Sequence, residues 1–154
     1  MSKAIWSGPL FIAADHAGFE LKERLKKARP DLQWDDLGPQ NSDRVDYPDF
    51  GFKLATRISN STTPNESRGV LICGSGQGMM IAANRFPKVR AALAWMPEIA
   101  KLSREHNNAN VLCLASRFTT DDDALKMLEV FLTTEFEGGR HASRVDKLTN
   151  LPEC

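Results

Sequence analysis

Short apolar runs alternate along this chain with longer segments in which apolar residues recur at helical spacing. Residues 10–14, 69–73 and 111–115 are almost continuously apolar, which is typical of strands buried on both faces of a parallel sheet. Residues 32–37 predict a second, weaker strand, and residues 89–95 predict a fourth strand. The pattern therefore predicts five strands, each separated from the next by a longer segment.

Helical spacing predicts a helix in each of those segments. The predicted helices cover residues 19–29, 47–58, 79–86 and 97–105. Another helix begins after Thr119 or Thr120, either of which is a suitable N-cap ahead of three aspartates. Its apolar face carries Leu125, Leu128, Phe131 and Leu132. Residues 60–67 are polar and turn-rich and form a predicted flexible connector, and a short basic helical tail follows Gly138-Gly139.

Strand and helix alternate about five times, which is the signature of an α/β fold with a mostly parallel, five-stranded sheet. Crossovers between parallel strands are right-handed, so helices are expected on both faces of the sheet. In such sheets ligands bind outside the carboxyl ends of the strands. The residues that follow each strand are therefore the first place to look for chemistry.

Length and charge narrow the class of protein. The 154 residues suit one domain over residues 1–154. Twenty Lys and Arg residues balance twenty Asp and Glu residues, so no overall field attracts nucleic acid or an anionic membrane. No apolar run approaches the length of a transmembrane helix. Residues 1–9, interpreted as an N-terminal extension, lack the basic stretch and apolar run of a signal peptide.

The number and spacing of the cysteines indicate the cellular compartment. Cys73, Cys113 and Cys154 are widely spaced and odd in number, which argues against a disulfide framework and for a reducing environment. Neither CxxC nor HExxH spacing occurs, so the sequence predicts no metal site. The expectation is a soluble, cytoplasmic protein with no nucleic-acid or membrane partner.

Side chains capable of chemistry are concentrated at the predicted strand ends and in the tail. These clusters lie at residues 15–18, 73–78, 106–108, 116–117 and 140–144. The three histidines, His16, His106 and His141, all lie in these clusters. Scattered surface histidines would not be expected to show this concentration.

The loop after the third predicted strand contains Gly74, Gly76 and Gly78. Three glycines in five positions let the backbone turn its N–H groups toward an anion, which predicts a cradle for a phosphate or a developing oxyanion. A tight strand-to-helix turn that binds nothing is the alternative. No Lys-Ser/Thr pair follows the loop, so it is not a nucleotide-binding P-loop.

Several side chains have both a catalytic and a structural interpretation. Cys73 lies near a predicted helix start, which favours the thiolate, so it is either a base or nucleophile or a small core residue. Cys113, inside the fifth strand, is assigned to the core. Asp15 and His16 are either an acid–base pair or a surface turn with a capping aspartate. His106 is either a general acid/base or a helix-end residue that interacts with the helix dipole.

Arg140 and Arg144 lie four residues apart and therefore on one helical face. Two guanidiniums on one face can clamp a phosphate through charge-assisted hydrogen bonds. The alternative is a solvated basic tail, over residues 140–154, that pairs with Glu135 or Glu137. A phosphate clamp, an oxyanion cradle, a base and a second acid/base together describe proton transfer α to the carbonyl of a sugar phosphate.

Six motifs, in order along the chain, resemble those of the type B ribose-5-phosphate isomerases, a family that also includes the subunits of galactose-6-phosphate isomerase. The resemblance extends from about Leu10 to Leu148, nearly the whole chain. The motifs are Asp15-His16-Ala17-Gly18, Asp46-Tyr47-Pro48, Cys73-Gly74-Ser75-Gly76-Gln77-Gly78, Ile81-Ala82-Ala83-Asn84-Arg85, Ser103-Arg104-Glu105-His106-Asn107-Asn108 and Glu137-Gly138-Gly139-Arg140-His141.

The resemblance implies a Rossmann-like three-layer α/β/α fold, a homodimer or dimer of dimers with shared active sites, and no metal or cofactor. It implies isomerisation of ribose 5-phosphate to ribulose 5-phosphate, with Cys73 moving a proton between C1 and C2 through a cis-enediolate. Ser75 and the loop amides would stabilise the enediolate oxygen, and His106, near Asp15, would assist opening of the furanose ring. In one branch of the family the base is a glutamate at the position that Met79 occupies in this chain. A methionine side chain cannot abstract a proton, so the resemblance implies Cys73 as the base here.

The resemblance also assigns residues that bind the substrate. Asn107 would hold substrate oxygens and Tyr47 would line the pocket. The phosphate would face His16, Arg117, Arg140 and Arg144. Two alternatives stay open: an isomerase of a hexose 6-phosphate, such as galactose or allose 6-phosphate, and a non-catalytic phosphosugar-binding protein. A flavodoxin-like nucleotide binder would need an adenine or flavin site, for which the sequence gives no signal.

Overall fold

The computed structural model of the protein describes residues 6–154, and within them five strands form a single parallel sheet. The strands are β1 (Pro9–Ala14), β2 (Gln33–Asp36), β3 (Arg68–Cys73), β4 (Ala91–Leu93) and β5 (Val111–Ala115). Their order across the sheet is β2-β1-β3-β5-β4. The predicted five-stranded parallel sheet is confirmed.

Six α-helices connect or follow these strands. They are α1 (Phe19–Ala28), α2 (Tyr47–Ser59), α3 (Gln77–Ala83), α4 (Pro97–Asn107), α5 (Asp121–Thr133) and α6 (Ala142–Thr149). Two short 3-10 turns, Pro64–Glu66 and Gly139–His141, lie in the longer connections. No helix among residues 6–154 has the length and apolar character needed to span a bilayer.

The helices lie on both faces of the sheet, which makes the predicted three layers. One apolar cluster joins α1, α4 and α5 to the face that carries Val70 and Ile72. A second cluster joins α2 and α3 to the opposite face, which carries Leu71 and Cys73. Because neighbouring strand residues point to opposite faces and both faces are covered, the central strands are apolar at every position.

The connections reverse direction between β1 and β3. From β1 the chain crosses α1 to reach β2 on one side, whereas from β3 it crosses α3 to reach β4 on the other side. The loops after these two neighbouring strands therefore diverge and leave a crevice at their carboxyl ends, the usual ligand position in open α/β sheets. This crevice lies between the loop at residues 15–18 and the glycine-rich loop at residues 74–78.

The boundaries of β4 and α3 differ from the prediction at positions where side chains bind backbone groups. Strand β4 is shorter than residues 89–95 because the amide side chain of Asn110 accepts a hydrogen bond from Arg90 N, at 2.8 Å, before the strand begins. Helix α3 begins two residues earlier than predicted. It ends at Ala83, where the side chain of Asn84 pairs with both backbone groups of Ala91.

Helix ends account for the remaining differences. Helix α4 extends two residues beyond the prediction, to Asn107, and stops where Asn108 adopts a left-handed conformation with φ of 48°. Of the two predicted N-caps of α5, Thr120 is the one used, since its hydroxyl accepts a hydrogen bond from Asp123 N at 3.1 Å. The predicted N-terminal extension falls partly outside the described residues. Its described end includes Trp6, whose ring lies under the Arg68 guanidinium at 4.8 Å.

Candidate active site

The predicted site residues form two clusters at opposite edges of the sheet. The first, the carboxyl-edge cluster, surrounds a cleft of about 330 Å³ at the crevice between β1 and β3. Its chemically capable side chains are Asp15, His16, Tyr47, Cys73, Ser75 and Arg117. The second, the amino-edge cluster, comprises the predicted His106, Asn107, Arg140 and Arg144 together with Glu137 and His141, which are not among the predicted site residues.

Cys73 is the last residue of β3 and only 4% exposed, with its backbone held by a hydrogen bond from Ser116 N at 2.9 Å. The chain then turns through Gly74, Ser75 and Gly76 into α3. Gly76 has φ of 74°, and a side chain there would collide with that of Leu93. This tight turn places the exposed Ser75 hydroxyl beside the first amide of α3, with Gln77 N at 3.4 Å from Ser75 Oγ. Cys73, Gly74, Ser75 and Gly78 thus line the same cleft.

Asp15 is buried and closes the loop after β1. Its carboxylate accepts a hydrogen bond from Gly18 N at 2.9 Å. Gly18 lies so close to the carbonyl of Ile72 that a side chain at this position would collide with it. The hydroxyl of Ser116 donates to Ala17 O at 2.8 Å. The loops after β1, β3 and β5 are therefore locked to one another, which fixes the geometry of the cleft.

The rim of the carboxyl-edge cluster is polar and partly exposed. The His16 ring is held against the backbone of Val45, with Nδ1 at 3.3 Å from the nitrogen and 3.2 Å from the oxygen. Tyr47 packs over Gly78, where a side chain would come within 2.7 Å of the tyrosine ring. Arg117 lies over Gly74 on the other side. An imidazole, a phenol and a guanidinium therefore border the thiol, as expected for a small anionic ligand.

The amino-edge cluster lies at the far end of α4. Because α4 starts beside the carboxyl end of β4 and runs back across the sheet, its last residues, His106 and Asn107, reach the edge where β5 begins. There they border a second cleft, of about 340 Å³, together with His141 and Arg144. Within one chain His106 therefore does not lie beside Asp15.

Two imidazoles stack in the amino-edge cluster. The His106 and His141 ring centroids lie 4.3 Å apart with 16° between the ring planes. Glu137 Oε2 is 3.6 Å from His141 Nε2, and Arg140 Nε is 3.5 Å from the same nitrogen. Burial, followed by the positive charges of His106 and Arg140, lowers the pKa of His141 below its ordinary value, against the opposing effect of Glu137. Both effects disfavour the charged imidazolium form of His141.

One residue with a possible chemical role lies in the core and outside both clefts. Cys113 is fully buried, as the sequence predicts for a core residue, and burial raises the pKa of its thiol. Sequence reasoning did not anticipate the contact of Glu137 and His141 with His106. The spacing of four residues between Glu137 and His141 is visible in the sequence, but their contact with His106, more than thirty positions away, is not.

Known proteins resemble this chain over nearly its whole length. Residues 10–148 match the family described as Ribose/Galactose Isomerase. The probable ribose-5-phosphate isomerase B of Mycoplasma genitalium is 44% identical over 142 residues, which cover 90% of this chain and 92% of that protein. The ribose-5-phosphate isomerase B of Escherichia coli is 36% identical, over 90% of this chain and 93% of its own length.

Solved structures show the same fold. The Mycoplasma genitalium ribose-5-phosphate isomerase B with bound ribulose-5-phosphate has a TM-score of 0.87 and 42% identity, covering 94% of this chain and 96% of that one. The Thermotoga maritima ribose 5-phosphate isomerase also has a TM-score of 0.87, with 41% identity, covering 93% of this chain and 98% of that one.

Proposed function

Because the chain belongs to the ribose/galactose isomerase family, we propose that it is the isomerase that interconverts ribose 5-phosphate and ribulose 5-phosphate. The observation that carries this proposal is its similarity, over 94% of its length, to an isomerase whose structure holds ribulose-5-phosphate. The carboxyl-edge cluster supports the same conclusion, since it combines a thiol, backbone donors and a guanidinium in one cleft.

In the proposed mechanism the Cys73 thiolate removes the proton from C2 of the open-chain aldose. The electron pair of the broken C–H bond forms the C1–C2 double bond of a cis-enediolate, and the carbonyl oxygen at C1 gains the negative charge. The proton returns to C1, while a hydroxyl proton moves between O2 and O1, which gives the ketose. A base of this kind works best when it ionises near the operating pH.

The loop after β3 supplies the proposed stabilisation of the enediolate. Gly74, Ser75 and Gly78 line the cleft together with Cys73, and the Ser75 hydroxyl and loop amides would donate to the enediolate oxygen there. Fixed donors of this type stabilise charge that develops in the transition state without the cost of reorganising solvent.

The amino-edge cluster supplies the other proposed functions from a second copy of the chain. His106 would open the furanose ring opposite Asp15, and Asn107 would hold substrate hydroxyls. The phosphate would lie between His16 and Arg117 of one copy and Arg140 and Arg144 of the other. Phosphate contacts far from C1 and C2 provide binding energy that positions the reacting carbons.

The separation of the two clusters supports a homodimer, alone or paired into a dimer of dimers. Large apolar side chains are exposed near the carboxyl edge, where Phe118 is 82% and Trp95 66% exposed. Apolar surface of this kind is typical of a contact region. The three unpaired cysteines support a reducing, cytoplasmic location.

The experiment that tests the proposal is isomerisation of ribose 5-phosphate by the purified protein with a chelator present, with galactose and allose 6-phosphates run in parallel. Preference for the pentose is the expected result. Turnover of a hexose phosphate alone would retain the chemistry and change the substrate. No turnover of any of the three by the folded protein would contradict the proposal and favour a phosphosugar-binding protein.

A further inference from the structure

The amino-edge cluster brings together three side chains that bind metal ions. His106, Glu137 and His141 each present one ligand atom, and these atoms all lie within 4.8 Å of one another. Two imidazoles and one carboxylate are a donor set that Zn²⁺ uses in proteins, and such a set leaves a fourth position open. The set joins the end of α4 to the turn before α6.

One pair of the three ligand atoms is already close to the spacing found around a bound ion, and all three lie within 4.8 Å of one another. Ligand atoms about 2.1 Å from a tetrahedral zinc ion lie roughly 3.4 Å from one another. Glu137 Oε2 and His141 Nε2 are already 3.6 Å apart. The Glu137 side chain is 52% exposed, so it can move by the remaining fraction of an ångström without disturbing the core.

Two adjustments are required before an ion can bind. The imidazoles are stacked with nearly parallel planes, so one ring must turn for both lone pairs to converge. His106 is half-buried and faces the second cleft, so it is the ring with room to turn, whereas His141 is buried. Arg140, which is exposed, must move its guanidinium away from His141 Nε2. Glu137 supplies the negative charge that offsets this basic environment.

We propose that His106, Glu137 and His141 form a site for a divalent transition metal of the zinc class, and that its occupation inhibits the enzyme. Coordination takes the lone pair of His106 that would otherwise accept a proton during ring opening. The inhibition rests on the function proposed above, whereas metal binding does not.

Metal binding is tested by calorimetric titration of the full chain with Zn²⁺. The titration uses a Cys73→Ala/Cys154→Ser background, because these two thiols are the other accessible soft ligands and Cys113 is fully buried. One ion per chain is expected. Adding Glu137→Gln is expected to weaken binding by at least about 10-fold, the loss that follows from removing even an outer partner of a metal site.

Glu135→Gln is the matched control, since Glu135 is an exposed carboxylate two residues away and outside the cluster. It is expected to leave zinc affinity unchanged. An affinity that Glu137→Gln does not alter, or that both variants lower equally, would overturn the site, as would no binding at all.

Inhibition is tested with native cysteines, by following ribose 5-phosphate isomerisation against zinc concentration. Each rate is expressed relative to the rate of the same variant without zinc. Glu137→Gln is expected to need about 10-fold more zinc for half inhibition, whereas Glu135→Gln is expected to be inhibited like the unaltered chain. Zinc that binds without inhibiting would overturn the inhibitory role. If the protein has no isomerase activity, the calorimetry still decides whether the metal site exists.

Discussion

Cys73 combines burial with access to the cleft. Cys73 is the last residue of a strand that is buried at every position. It nevertheless lines the cleft, together with Asp15, His16 and Arg117. Cys113, two residues further back along the neighbouring strand on the same face of the sheet, is enclosed on all sides. Two thiols of similar sequence context thus differ in their access to the cleft because one lies at a strand end and the other lies inside a strand.

Replacement of Cys73 by alanine is expected to abolish isomerisation and to leave substrate binding largely intact, because the phosphate contacts are made by other residues. Turnover of ribose 5-phosphate and calorimetric binding of ribulose 5-phosphate together measure this separation. Cys154→Ser, at an exposed cysteine that does not line the cleft, is the control and should retain full activity. Near-normal turnover by the Cys73 variant would show that another group is the base.

His106 is expected to act on the closed sugar only. His106→Asn should reduce turnover of ribose 5-phosphate far more than turnover of an analogue that lacks the 4-hydroxyl and cannot close a furanose ring. The ratio of the two rates, in variant and unaltered protein, is the measurement. Equal losses of turnover on both substrates would show that His106 does not open the ring and has a purely structural role.

At the scale of elements, a buried ion cluster fixes α1 to β2. The side chain of Lys22, on α1, has no exposed surface, and its ammonium lies 2.6 Å from Asp36 Oδ2 on β2 and 2.8 Å from Glu23. Lys26, one turn later, also contacts Asp36 at 2.6 Å. Burial of Asp36 alone would raise its pKa, but hydrogen bonds from Lys22 and Lys26 outweigh burial, so the pKa is lowered below its ordinary value.

Asp36→Asn is expected to lower the free energy of unfolding by about 3 kcal/mol, because it leaves a buried ammonium with a weaker set of partners. Asp35→Asn is the control on the same strand. Its carboxylate is 42% exposed and pairs with an exposed Arg57, so its loss should cost about 0.5 kcal/mol. Chemical denaturation of both variants at neutral pH measures the difference, and similar losses would contradict the role of the buried cluster.

The same cluster predicts an acid dependence. Because the pKa of Asp36 is lowered on folding, its contribution is fully present above the unfolded value of about 4 and is lost as pH falls through the folded value. The unaltered protein should therefore lose more stability below about pH 4 than Asp36→Asn does. Parallel pH profiles for the two proteins would contradict this assignment.

Much of this architecture is visible in the sequence, because a strand buried on both faces must be apolar throughout. The central strands β1, β3 and β5 follow this rule and were predicted within a residue or so. The edge strand β4 was predicted too long, since the sequence does not show that the Asn110 side chain binds the backbone before it.

The site was predicted as a set of residues but not as an arrangement. Motifs name Cys73 and His106, yet their separation depends on the direction in which α4 crosses the sheet. The stacking of His106 on His141 depends on where the chain returns after α5, a long-range contact that local spacing does not encode.

For the whole molecule, the two clusters predict complementation between inactive chains. Cys73→Ala and His106→Asn are each expected to be nearly inactive on ribose 5-phosphate as homodimers. Coexpressed, they form mixed dimers in which one site receives both intact residues and the other receives neither. Random pairing should therefore restore about a quarter of normal activity.

Separately tagged, copurified mixed dimers, freed of both homodimers, should show about half of normal activity, because one of their two sites is intact. Two chains that both carry Cys73→Ala are the control and should stay inactive after the same treatment. Mixed dimers that gain no activity would contradict active sites shared between two chains. All catalytic residues of a site would then have to come from one chain.

The position of β5 between β3 and β4 also has a consequence for how the protein is made. Among the described strands β4 pairs with β5 alone, so a nascent chain that has emerged only as far as α4 can assemble β2, β1 and β3 but has no partner for β4. At roughly 5–20 residues per second, the ribosome takes on the order of 1 to 4 s to extend the chain from the end of β4 to the end of β5. During that interval the amino-edge half of the site does not exist. The arrival of β5 completes the sheet, whereas the amino-edge cluster forms only after residues 137–144 have followed α5.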